Sequence, residues 1–161
     1  MLPHILHVYS MNLGYAKRLA RDLSDDQMCA QPHGLVNHPA WSLGHLATAS
    51  AHLAKELGLS SELPAGWDDT FKAGGIPSPD RKLFPGKDEI LRVLEQQHAR
   101  VAQSLPNADP AALARPHPNE KMRAHFPTVG DFAIFLMTAH EMDHLGQIAA
   151  WRRAMGIGAA A

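Results

Sequence analysis

The sequence predicts an all-α fold, a four-helix bundle, on three observations. Four segments carry apolar residues at helical spacing, no segment shows convincing strand alternation, and the connections are rich in proline and glycine. In the first segment Leu2, Ile5, Leu6, Tyr9, Leu13, Ala16, Leu19 and Leu23 form the stripe, with Lys17, Arg18 and Arg21 off it, which predicts a helix from Leu2 to about Asp22. After the polar stretch SDDQMCAQPHGLVN, Pro39 suits the first turn of a second helix whose apolar face runs from Trp41 through Leu57 and stops at Gly58. Asp88 and Glu89 favour the positive end of a third helix, which carries Ile90, Leu91, Leu94, His98, Val101 and Leu105 and ends at Pro106. Thr128 followed by Asp131 reads as a capping box opening a fourth helix, the longest, to about Met155 before Gly156 and Gly158.

At 161 residues the chain has the size of one domain, taken as 1–161. Two connections, 59–87 and 106–127, exceed the roughly 12–15 residues usual in compact domains, and connections of that length often work as lids. Trp67 and Phe71 sit in the first, and aromatic residues there fit a lid packed over a bound cofactor or substrate or, equally, a patch that closes the bundle's end.

Bulk composition removes several classes of function. Lys+Arg 15 against Asp+Glu 16 gives a net charge of -1, and no basic stripe appears, so nucleic acid is not an expected partner. One cysteine, Cys29, excludes an intramolecular disulfide framework and suits a reducing compartment. With no signal-peptide pattern, the expected location is cytoplasmic. No apolar run reaches the roughly 18 residues a membrane span needs, because His140, Glu141, Asp143 and His144 interrupt the longest one. Histidine is the outlier, with 11 copies scattered along the chain.

The most informative segment is His140-Glu141-Met142-Asp143-His144, inside the apolar run FLMTAHEMDHLGQIAAW. Histidines at i and i+4 have Cβ atoms roughly 5–6 Å apart on one helix face, so both rings can grip one cation. Taking about 100° per residue, the direction midway between them is shared by Ala133, Leu136, Met137, Ile148 and Trp151, so the pair is expected to face inward. Glu141 and Asp143 then flank the stripe at a solvent-reaching rim, where either can orient a ligand imidazole or relay a proton. The competing structural reading is a pair of hydrogen-bonded core histidines.

The segment also matches the H-E-x-x-H pattern of zinc peptidases. Those enzymes take a third ligand from beyond the motif, and the residues after His144, GQIAAWRRAMGIGAAA, offer none. Any third ligand is therefore upstream. His45, in NHPAWSLGHLATASAHLAKELG, is the leading candidate: it lies one turn after Trp41, and Gly44 beside it admits a close neighbour. His52 and His98 are able to replace or support it, whereas His4, His7, His33, His38, His117 and His125 fall off stripes or in loops and are expected to be solvated or capping.

GHLA in the second helix, His140 through Gln147 as HExxHxGQ in the fourth, and Trp151-Arg152-Arg153 after it resemble the DinB/YfiT-like family over nearly the whole chain. The resemblance implies a four-helix bundle, often a homodimer, holding a divalent metal on His45, His140 and His144. It also implies chemistry with low-molecular-weight thiols such as glutathione, bacillithiol or mycothiol, transferred to an electrophile. Three imidazoles suit Zn or Ni, with Fe or Mn as alternatives, and leave open coordination positions. A thiol bound there is held as the nucleophilic thiolate, whereas water would serve a hydrolase. A metal-stabilised protein without catalysis is the third expectation.

Overall fold

The computed structural model describes residues 1–60 and 62–160. Among them there is no strand; a single isolated bridge joins Pro116 to Thr128. The long helices are α1 (Leu2–Ala20), α3 (Pro39–Glu56), α5 (Lys87–Ser104) and a continuous rod formed by α7 (Val129–Phe135), a π-helical turn (Leu136–His140) and α8 (Glu141–Ala154). Short helices α2 (Asp25–Met28), α4 (Trp67–Thr70) and α6 (Pro110–Ala114) lie in the connections. The expected helix ends differ from these by one or two residues, the ordinary uncertainty of frayed termini. The three short helices and the π turn are additions to the expected architecture.

Packing closes a ring: α1 lies against α5 and α8, and α3 lies against α5 and α8. The interior divides into two clusters along the rods. One gathers Leu19, Trp41, Leu43, Ile90, Leu94 and Trp151; the other gathers Tyr9, Leu53, Val101, Leu136 and Met137. Each large apolar side chain removed from water in this way contributes roughly 1.5–3 kcal/mol before chain entropy is counted.

Local chemistry fixes the rods that carry the histidines. Thr128 Oγ1 accepts from the Asp131 amide at 3.1 Å while Asp131 Oδ2 accepts from the Thr128 amide at 3.0 Å, the reciprocal cap expected from the sequence. His38, expected to be solvated or capping, caps α3 while fully buried: Nδ1 accepts from the Trp41 amide at 3.2 Å and Nε2–H donates to the Ser78 carbonyl at 3.0 Å. At the far end of α8 the buried Arg152 donates to both Asp22 oxygens, at 2.6 and 2.8 Å, and to the Leu19 carbonyl at 2.8 Å. That clamp ties α8 to the end of α1 and sets its rotation.

The rotation is not the expected one. The buried positions of α8 are Glu141, His144, Leu145, Ile148, Trp151 and Arg152, a sector turned by roughly 60° from the midline between the two histidines toward Glu141, at about 100° per residue. His140 and His144 therefore sit along one edge of the buried sector, and Glu141 is driven inside. Leu145 and Arg152 pull the sector round: Leu145 needs the core, and Arg152 needs Asp22.

Candidate metal centre

Three histidines meet between α3 and the fourth rod. His45 comes from the middle of α3, His140 from the last position of the π turn, and His144 from the first turn of α8. Their ring centroids lie 5.1 Å (His45–His140), 4.9 Å (His45–His144) and 4.8 Å (His140–His144) apart. One ring nitrogen from each falls within 4.8 Å of the others, and His45 Nε2 lies 3.2 Å from His140 Nε2. Nitrogens bound at about 2.0–2.1 Å to one tetrahedral ion are separated by roughly 3.4 Å, so little movement is needed to embrace a cation.

His45 is aimed by its surroundings. Gly44 lets the Phe71 ring lie on α3 so closely that a Cβ there would be 2.2 Å from it. This contact brings the Phe71 carbonyl to 2.8 Å from His45 Nδ1. A carbonyl only accepts, so Nδ1 carries the proton and Nε2 presents its lone pair to the other two histidines. Trp41, one turn earlier, stacks on the His45 ring at 4.9 Å and 3° and prevents it from swinging away.

All three rings are held neutral. Burial, reinforced by His144 and His45, pulls His140 down to about 4, with Asp143 opposing. Burial and His45 pull His144 down to about 4, and burial also lowers His45. Neutral imidazole is the form that ligates metal. The buried Nδ1 atoms of His140 and His144 have no hydrogen-bond partner. An unmatched buried polar group costs about 1–3 kcal/mol, and Asn12 Oδ1, Ser42 Oγ and Glu141 Oε2 carry the same cost elsewhere in the core. Donor type and spacing fit a divalent ion held on three imidazoles.

The chain belongs to the DinB superfamily. Its family model matches residues 6–148, which include all three histidines of the cluster. No curated protein and no solved structure matches the chain.

Several candidates land elsewhere in this DinB protein. Glu141, expected at a solvent-reaching rim, is 2% exposed and accepts from His98 Nε2–H at 2.6 Å, on the side of α8 facing α1 and α5. His98 is thereby committed to Glu141 and stacked under Tyr9 at 3.8 Å, so it does not join the cluster. The Glu141 carboxylate is held by His98 on the face turned from the three histidines, which argues against the general-base position that the H-E-x-x-H reading requires. Asp143 does lie on the rim: it is exposed and accepts from Gln147 Nε2 at 2.9 Å. His52 is also exposed, 2.7 Å from Asp68.

The expected lid is a core element. Trp67 and Phe71 are 3% and 0% exposed and pack on each other at 4.8 Å, so they anchor the 59–87 connection instead of covering a site from outside. Phe71 still touches the centre, through the carbonyl that holds His45 and as a wall of the cavity beside it. This cavity, about 280 Å3, opens next to His45 and His140 and is walled by Phe71, Phe132, Phe135 and Leu136. The residues sequence reasoning missed are Met122, Phe132 and Phe135 on that wall. Phe132 and Phe135 occur three apart just before the motif, and that aromatic spacing was the available signal.

Proposed function

We propose that this chain binds one divalent cation through His45, His140 and His144, and that it transfers a low-molecular-weight thiol to an electrophile at that ion. The observation that carries the metal assignment is the convergence of three neutral imidazoles, one ring nitrogen of each within 4.8 Å of the others. A divalent ion held there favours the thiolate form of an incoming thiol. The cavity supports transfer over peptide hydrolysis: it adjoins the cluster, its walls are apolar, and no strand edge lies beside it to hold extended substrate. Sequestration of Glu141 against His98 points the same way.

The chain's own contributions are specific. Phe71 O fixes the tautomer of His45, Trp41 holds its ring plane, and the apolar wall excludes water from the reacting carbon. The thiol sulfur forms the new C–S bond, the electrophile's leaving group departs with the electron pair, and the thiol proton leaves through Asp143 at the open rim. Three imidazoles support Zn or Ni as the native metal, with Fe or Mn as alternatives. Pairing as a homodimer is carried over from the family, and light scattering checks it. No described helix is long and apolar enough to cross a membrane.

The test is consumption of glutathione, bacillithiol or mycothiol with monochlorobimane by metal-loaded protein. Turnover that chelation abolishes is the expected result. A bound metal with no turnover for any thiol would overturn transferase activity and leave an ion-stabilised binding protein. Chelator-sensitive ester cleavage without thiol would favour hydrolysis.

A further inference from the structure

The cavity beside the three histidines is unusually one-sided in its chemistry. Its walls are mostly apolar, with three phenyl rings, aliphatic carbon and Met122 beside the imidazoles of His45, His52 and His140, and Phe135 reaches from it to the His140 ring at 5.5 Å. Thr48, the one hydroxyl on the wall, is already donated to the Gly44 carbonyl at 3.0 Å, so it offers a ligand no free proton. No Asp or Glu lines the space. The charged side chain on its lining is Lys72, which is exposed, adjacent in sequence to Phe71, and forms no ion pair among the described residues. His52 is engaged with Asp68.

We infer that this cavity takes a small aromatic monocarboxylate, its ring against Phe132 and Phe135 and its carboxylate at Lys72. The assignment rests on the metal reading only for where the reactive end of such a molecule would lie; the ring and charge recognition stand on the cavity walls alone. Three features carry it. The volume of about 280 Å3 lies near the lower end of the roughly 300–1,000 Å3 range of small-molecule sites, room for one compact ring system. Phenyl walls favour offset or edge contacts with an aromatic ligand over an aliphatic one. An ammonium on a lining that holds no carboxylate, with Asp68 outside it and taken by His52, selects an anion and rejects a cation. For the proposed electrophile this makes the acceptor an aryl-bearing acid.

The experiment is calorimetric titration of 2-naphthoate, 2-naphthylmethanol and 2-naphthylmethylamine into metal-loaded protein and into chelated protein. The chelated arm prevents direct ligation of an ion by carboxylate from imitating recognition by Lys72. In both arms 2-naphthoate should bind roughly fivefold tighter than the alcohol, the scale of a partly exposed ion pair, and the amine should bind weakest. Lys72→Met should bring the acid down to the alcohol while leaving the alcohol unchanged, and the loop variant Ala73→Phe, narrowing the cavity, should weaken all three. Equal affinity for acid, alcohol and amine, no binding of any, or an acid preference that survives Lys72→Met would overturn the inference. Protein that binds metal but not naphthoate leaves the metal assignment standing and removes this one. Naphthoate preference in a protein that takes up no metal does the reverse.

Discussion

His140 and Glu141 are neighbours in the chain, yet they belong to two polar clusters built on opposite principles. On one side of the rod, His45, His140 and His144 turn ring nitrogens toward one another, and two buried Nδ1 atoms have no partner. On the other, Glu141 and His98 pair at 2.6 Å with both side chains under 5% exposed, beneath the stacked Tyr9 ring. Between them, around Tyr9, Ser50 and Met137, the packing leaves no room for a water to bridge the two. The second cluster sets a donor against an acceptor, as a structural pair does, with Glu141 Oε1 taken by His98 and Oε2 left without a partner. The first gathers like groups, which have one hydrogen bond among themselves, between His45 Nε2 and His140 Nε2, whereas a cation would engage all three rings. Burial alone therefore does not mark a functional site; the sign and number of the partners do.

The comparison is broken most severely by removing one member of the Glu141–His98 pair. His98→Ala should cost about 3–5 kcal/mol in urea unfolding, because Glu141 is left buried without its partner. The metal content of the folded fraction should stay at that of the parent protein. A smaller loss would mean that water reaches Glu141. Next in size, Gly44→Ala drives a Cβ into the Phe71 ring, and overpacking of this kind costs about 1–3 kcal/mol. It also displaces the carbonyl that orients His45, so metal affinity should fall along with stability, whereas His98→Ala lowers stability alone. Metal titration followed by calorimetry separates the two.

Acid sensitivity sharpens the contrast. In metal-free protein His140 and His144 titrate at about 4 when folded and near 6.5 when unfolded, so the unfolded chain takes up their protons first. Stability is complete above about pH 6.5 and is lost as the pH falls from there toward 4. Denaturation curves of the double variant His140→Gln, His144→Gln should be flatter across that window. An unchanged slope would show that the two rings are not held neutral. The smallest effect belongs to Asp143→Asn, an exposed change that should stay within about 0.5 kcal/mol in stability and keep the metal. Its thiol turnover should fall if Asp143 takes the proton.

Much of this was legible in the sequence because it depends on local rules. The four long helical segments follow from apolar period and caps, and His45 stood out by lying in an apolar helix beside a glycine. The rotation of α8 did not follow, since it is decided by contacts distant in sequence: Arg152 reaches Asp22 and Leu145 enters the core, which turns Glu141 inward. Counting Leu145 in the stripe would have shifted its midline toward Glu141. The π turn was illegible too, because the residues LMTAH that form it differ in no way from those of an ordinary α-helical run. The lid expectation failed because aromatic residues in a long connection signal burial without saying whether they cover a site or anchor the chain.

The most direct test of the central claim is metal content by plasma mass spectrometry on tag-free protein, prepared in parallel as the parent, His144→Ala and Glu141→Gln. About one divalent ion per chain in the parent and in Glu141→Gln, with none in His144→Ala, is the predicted result. An ion retained by His144→Ala, or lost from Glu141→Gln while the protein stays folded, would contradict the division of the two clusters and place the metal elsewhere.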